Sequence, residues 1–413
     1  MRLPGFLALV LAGGSALMAQ TPQYDLILKG GHVIDPKNGV DGIEDVAITG
    51  RQIAAVAANI PSSSAKKTIN VAGLYVTPGL VDMHVHVFAG YTPGVVAEGM
   101  MSMMPDHVGF RAGVTTMVDA GSSGWKSFPN LKKNIIDRSQ TRVLAMLNII
   151  GVGMISQDAE QIVEDMDPQR TAETALKNPE VVVGIKSAHW RAPNYVSIEK
   201  AVEAGELAHL PVMVDFFYLP ERPYDKLILE KLRPGDISTH PYRAPTPILD
   251  DQGKLLPYMT AARKRGVLFD LGHGGGNFHF KNAVPAVRQG FWPDTISSDL
   301  NLVAANGPMI DLPTVMSKFL AMGVPLKDVI RLTTSGPAMV IHRPALGQIA
   351  VGSEADITVL RLETGQFGFN DTAGERIEGI ERLNCEMTIR AGQVVFDFNA
   401  RAATPFHEAQ GGR

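Results

Sequence analysis

The chain has 413 residues, of which 45% are hydrophobic and 19% charged, and its formal net charge is −4. This is the balance of an ordinary soluble globular enzyme, and it excludes the basic footprint of a nucleic-acid binder. The one cysteine, Cys385, excludes an intrachain disulfide and a thiolate metal cluster. Any metal must therefore be held by His, Asp, Glu or Lys.

In chain order, the N-terminus comes first. Arg2 precedes an uncharged apolar run from Leu3 to Met18, and ALMAQ over 16–20 offers a cleavage site after Ala19. The run is short for a membrane span and fits a secretory signal peptide over 1–19. The expected address is periplasmic or extracellular, with no membrane span left after cleavage. Next, Tyr24–Gly31, His32–Asp35, Asp45–Thr49, Gln52–Ala57 and Thr68–Ala72 are short strands separated by turn residues. The C-terminal part has the same texture in Ala355–Leu362, Glu386–Ala391 and Gln393–Phe398. The two ends are expected to pair into one composite β-sandwich, 22–77 plus 345–400.

The stretch VTPGLVDMHVHVF, Val76 to Phe88, organises the rest. Pro78 and Gly79 punctuate its entry, and Leu80–Phe88 is then an apolar strand carrying His84 and His86 two residues apart. Alternate residues of a strand share a face, so both imidazoles leave on one side and form half of a metal site. Beyond it, Thr115–Ala120, Arg142–Ile150, Val181–Ala188, Pro211–Phe217, Asp236–His240, Gly266–Gly272 and Asp294–Asp299 are further apolar strand candidates. Helical stretches such as Ser197–Ala208 and Leu255–Arg265 lie between them. Strands alternating with helices in this number predict a (β/α)8 TIM barrel over 78–344. Catalytic groups then belong at the C-terminal strand ends. Those ends carry His84 and His86, Asp119, Lys186, Asp215, His240, His273 and Asp299. Met100–Met104 reads as a lid or an apolar helix face.

The motifs PGLVDMHVH, VGIKSA, DISTH, FDLGHGGGNF and ISSDL resemble the amidohydrolase superfamily, in particular its dihydroorotase-like and acyl-amino-acid deacetylase subgroup. The resemblance covers nearly all of the chain after the signal. It implies that His84 and His86 hold the more buried of two divalent metals, zinc above all, with manganese or iron as alternatives. It implies that Lys186 carries a CO2-derived carbamate bridging both metals. His240 would ligate the second metal. Asp299 would ligate a metal and shuttle the proton. Strand five departs from the pattern: PVMVDFF places Asp215 where the family has a histidine. Asp215 is then a substitute ligand, a group beside a weakly held second metal, or a sign of lost function.

These residues predict a metal-dependent hydrolase of non-peptide C–N bonds in N-acyl or cyclic amides, through a metal-bridging hydroxide. Hydrolysis of acetyl esters is chemically adjacent, and a catalytically silent scaffold is the non-enzymatic alternative. For Lys186 the bland alternative is a lysine paired with an acid. Gly275 and Gly276 are expected to allow close backbone approach to a small-molecule amide or ester. His273 either binds a substrate carbonyl or carboxylate or caps its loop. Arg191, after His189 and Trp190, either meets an anionic substrate or lies on a solvated loop. Asp119 is read as a structural acid. A homo-oligomer is compatible with the resemblance.

Overall fold

The computed structural model describes residues 22–90, 98–99 and 101–406. The expected signal segment 1–19 and Met100 lie outside them. Among the described residues, no helix is long and apolar enough to cross a membrane.

The first strands are β1 (Tyr24–Asp35), β2 (Val40–Thr49), β3 (Gln52–Ala57), β4 (Ala65–Asn70) and β5 (Tyr75–Pro78). A second group follows: β6 (Leu80–Val85), β7 (Val114–Gly124), β8 (Arg142–Asn148), β9 (Val182–Ser187), β10 (Val212–Asp215), β11 (Ile237–Thr239) and β12 (Leu268–Asp270). The chain ends with β13 (Ile357–Asn370), β14 (Arg376–Arg390) and β15 (Gln393–Asp397).

Both ends of the chain share one eight-stranded, sandwich-like sheet in the order β15-β14-β13-β5-β1-β2-β3, with β4 on β1. The join is antiparallel pairing of β13 with β5, Val359 opposite Val76. Alternation along β1 explains its two faces. Leu26 and Leu28 enter one core with Val46, Val76, Ile357 and Met387. Ile27 enters the other with Ala47 and Ile60.

β6 to β12 form a separate seven-stranded parallel sheet in sequence order. β6, β9 and β10 are buried at every position, as parallel strands covered on both faces must be. Val81, Met83, Val118, Met146, Val183, Met213 and Ile237 pack together as an inner cluster. Helices such as Val196–Ala208 and Pro257–Lys264 cover the outside, close to their expected spans.

The stretch expected as the eighth strand is not a ladder strand. Residues 295–300 instead make single parallel bridges to both sheet edges, Thr295 with Asp270 and Leu300 with Val85. The physical reason lies on both sides of the pairing: φ of 49° at Asp299, and of 50° and 55° at Gly272 and Gly274 just past β12, interrupts extended backbone.

Two register irregularities serve the site. Pairing shifts between Asp82 and Val85 on β6 and opposite Ala145 and Met146 on β9. A bulge reverses the in–out phase. Val81 and Met83 pack inward, yet past the shift it is His84 and His86 that face the centre. In the same way Lys186 follows Val183.

Candidate active site

At the C-terminal edge of the parallel sheet, a cavity of about 290 Å³ is lined by His84, His86, Lys186, Asp215, His240 and Asp299, among others. The six groups expected as metal ligands therefore converge. All six are buried.

Each histidine is fixed through Nδ1 and presents Nε2. His84 Nδ1 meets Asp270 Oδ2 at 3.0 Å and Thr239 Oγ1 at 3.1 Å. His86 Nδ1 meets Ser122 Oγ at 3.0 Å. His240 Nδ1 donates to the Gly272 carbonyl at 2.7 Å. Where the partner can only accept, Nδ1 carries the proton and the neutral ring keeps its Nε2 lone pair for a metal.

The inward atoms are spaced as ligands. Asp299 Oδ1 is 3.2 Å from His86 Nε2 and 3.7 Å from His84 Nε2. Asp215 Oδ2 is 3.4 Å from His240 Nε2. Donor atoms about 2.0–2.1 Å from a tetrahedral metal lie roughly 3.3 Å apart. His84, His240 and Asp299 each place a donor atom within 4.8 Å of the others. The donor set is nitrogen and carboxylate oxygen, which suits zinc, manganese or iron, so the residues fit divalent metal.

Electrostatics follow from burial and crowding. Burial pushes the Lys186 ammonium pKa down, with Asp215 and Asp299 opposing. Its Nζ lies 3.0 Å from His84 Nε2. Burial would raise Asp299, but His84, His86 and His240 hold it well below the usual carboxylate range. Asp215 is likewise held low against burial, by Arg243, His240 and His189. Arg243 lies 2.8 Å from Asp215 Oδ1 as an ion-pair contact without aligned hydrogen-bond geometry.

Backbone strain concentrates in the same place. His189, His240 and Asp299 all have positive φ, at 49°, 59° and 49°. Non-glycine residues hold such conformations only where their surroundings enforce them.

Two expected substrate contacts are corrected. His273 is fully buried and does not line the cavity. Its Nδ1 donates to the Gly274 carbonyl at 2.9 Å, and its Nε2 meets Lys318 Nζ at 2.7 Å. Its position just past the strand end turns it under the loop. Arg191 points to the surface, toward Asp158 and Gln157. Gly275 and Gly276 do line the cavity, as does Met101 of the methionine run. Asp119 is structural, as expected: it accepts from the Val87 and Ser122 amides and so braces the turn after His86.

Gly274, next to the two expected glycines, is the one in closest approach. At φ 55°, an added Cβ would lie 2.3 Å from Asp299 Oδ2 and 2.8 Å from Asn277 Nδ2. Gly274→Ala should displace Asp299 and lower kcat/KM by about 10²-fold, the usual scale for a misplaced reacting group. Gly276→Ala, with open space at its Cβ, should leave Asp299 in place and lower kcat/KM far less. Steady-state kinetics of the two variants check this.

Sequence reasoning missed Asp270, Glu160, Asn277 and Arg243. Asp270 was findable as the acid at the end of the apolar run Val267–Phe269. It accepts from Thr239, Thr295 and Ser297 hydroxyls and orients His84. Glu160 sits in a polar stretch without periodicity, which gave no signal.

A model of the amidohydrolase family matches residues 317–396. A deacetylase of Agrobacterium fabrum is 32% identical over 351 residues, covering 82% of this chain and 83% of the relative. The chain belongs to the amidohydrolase family. A deacetylase of Enterococcus faecalis is 30% identical over 383 residues, covering 90% of this chain and 99% of the relative. Among solved structures, an adenine deaminase matches with a TM-score of 0.82 at 30% identity, over 91% of this chain and 100% of its own. A dihydroorotase matches with a TM-score of 0.79 at 29% identity, over 90% of this chain and 99% of its own. This amidohydrolase is a metal-dependent hydrolase of carbon–nitrogen bonds.

Proposed function

We propose that this amidohydrolase is a deacetylase-type enzyme that cleaves N-acyl or cyclic amides, using two divalent metals and a carbamate on Lys186. The observation that carries the reading is the convergence of His84, His86, Lys186, His240 and Asp299 on one cavity. The relatives named deacetylase and the neighbour named dihydroorotase support it. In this reading residues 295–300 are the eighth stave of a (β/α)8 barrel over 78–344. The composite sheet domain spans 22–77 plus 345–400, and residues 1–19 export the protein to the periplasm or beyond. Assembly as a homo-oligomer belongs to the same proposal.

His84 and His86 would hold one metal, His240 and Asp215 the other, with Asp299 toward the first pair. When bound, such metals polarise a carbonyl and lower the pKa of water toward about 7. Burial favours the neutral Lys186 amine, and a neutral amine is the form that takes up CO2. Asp299 has one oxygen toward His84 and His86, and its other oxygen accepts from Asn277 Nδ2 at 3.0 Å. It is thereby held to accept a proton from the attacking water and return it to the leaving amine. His86 and Asp215 are fixed by Ser122 and Arg243, so the site is organised before substrate arrives.

One observation favours a second reading, deamination: the likeness to an adenine deaminase. Against it stands Lys186, whose carbamate a mononuclear deaminase would not use. Turnover of a panel of N-acetyl amino acids, with and without chelator, tests the proposal, and ammonia release from adenine is measured alongside. Chelator-sensitive release of acetate is the expected result. Ammonia release without acetate release would move the enzyme to the second reading, and no chelator-sensitive turnover on any substrate would remove the first.

A further inference from the structure

β10 ends in Asp215, where the family resemblance would put an imidazole of the second half of the site. Another imidazole stands beside the gap. His189 lies on the loop after β9 and lines the same cavity. Its Nε2 is 3.1 Å from Asp215 Oδ2, the same oxygen that lies 3.4 Å from His240 Nε2. Those separations match the roughly 3.3 Å edge of a tetrahedral nitrogen and oxygen site. The other Asp215 oxygen faces Arg243, which leaves Oδ2 for the two rings.

The far side of His189 matches the other histidines of the site. Its Nδ1 donates to Glu160 Oε2 at 2.7 Å. Glu160 is 1% exposed, and its second oxygen has no hydrogen-bond partner. A buried carboxylate on the distal nitrogen is the arrangement that orients metal-binding imidazoles. The loop itself is held in place. Gln161 Nε2 donates to the His189 carbonyl at 3.0 Å. Arg222, fully buried, donates to the carbonyls of Trp190 at 2.7 Å and Ala192 at 3.1 Å. The positive φ of His189 is the strained backbone that aims the ring inward.

We propose that His189 supplies the imidazole that β10 lacks, completing with His240 and Asp215 the second half of the metal site, with Glu160 as its positioning residue. This rests on the two-metal reading above. The exchange puts a carboxylate on the strand and an imidazole on the loop, so the second half-site carries one more negative charge than a pair of histidines alone. It therefore favours a harder metal there than a pair of histidines alone would.

Elemental mass spectrometry after zinc or manganese loading and gel filtration tests it, on wild type, His189→Ala, Glu160→Leu and Glu160→Gln. Wild type should hold two metals per chain and His189→Ala about one. Glu160→Leu should weaken the second metal by about 10- to 100-fold in competition with a chelator. Glu160→Gln keeps an acceptor for Nδ1 and should restore most of that loss. Circular dichroism establishes folding. If His189→Ala does not fold, His189→Gln replaces it under the same expectation, because its amide is a poor ligand. Two tightly held metals in the folded His189 variant would overturn the proposal and leave His189 as a cation pinned between Glu160 and Asp215. Fewer than two metals in wild type would overturn the two-metal reading instead.

Discussion

Asp299→Asn should lower kcat by about 10²- to 10⁴-fold, the range that a positioned general acid–base contributes, with a much smaller change in KM. The substitution is nearly isosteric. It retains a group that can contact Asn277, which now donates to Asp299 Oδ2 at 3.0 Å. It removes the negative charge that faces His86 Nε2 at 3.2 Å and His84 Nε2 at 3.7 Å. It also removes the carboxylate that lies against both rings of the first half-site and can hold a proton between attack and departure. The loss should fall on kcat because proton transfer happens in the transition state, whereas the cavity walls that bind substrate are unchanged. Steady-state kinetics on the best amide of the panel, with metal content measured in parallel, separate this from simple metal loss. A fall of less than tenfold with metal retained would remove Asp299 from the proton-transfer role.

The legible parts of this molecule were those written in local pattern. An apolar run that ends in an ionisable residue marks a buried strand whose end reaches the cavity. That pattern located His84, Lys186, Asp215, His240 and Asp299, and all of them line one cavity. The pairing of the chain's two ends was legible as shared texture and is realised in β5 with β13. Local pattern failed where a role depends on what crosses from elsewhere. His273 has the same sequence context as His240, just past an apolar strand. Yet His240 turns into the cavity and His273 turns beneath it to meet Lys318 from a helix 45 residues away. Glu160 and His189 are 29 residues apart and meet only through the loops after β8 and β9. The kink at Asp299 was likewise invisible, because an apolar run with β propensity does not reveal a left-handed residue imposed by its site.

Lys318→Met should destabilise the fold by about 2–4 kcal/mol, and the loss should grow as the pH rises. Lys318 lies on the helix Leu312–Ala321 and is fully buried. Its Nζ donates to the Pro308 carbonyl at 2.7 Å and the Asn370 carbonyl at 2.8 Å, and it meets His273 Nε2 at 2.7 Å. It thus ties the helix, the end of β13 and the loop under Asp299 at one atom. Methionine fills the volume but leaves two backbone carbonyls buried without donors, each costing about 1–3 kcal/mol. Removing a buried amine recovers part of that, which sets the net below the sum. Burial lowers the Lys318 pKa from 10.5 to about 7, with Asp371 opposing. Between those values the unfolded chain binds the proton and the folded chain does not, so the wild type gains stability as pH rises through that window. The gain is complete above about 10.5 and gone below about 7, and the methionine variant lacks it. Urea unfolding of both proteins at pH 6.5 and pH 9 checks the sign. A difference that stays constant or shrinks with pH would mean that Lys318 keeps its proton in the folded state.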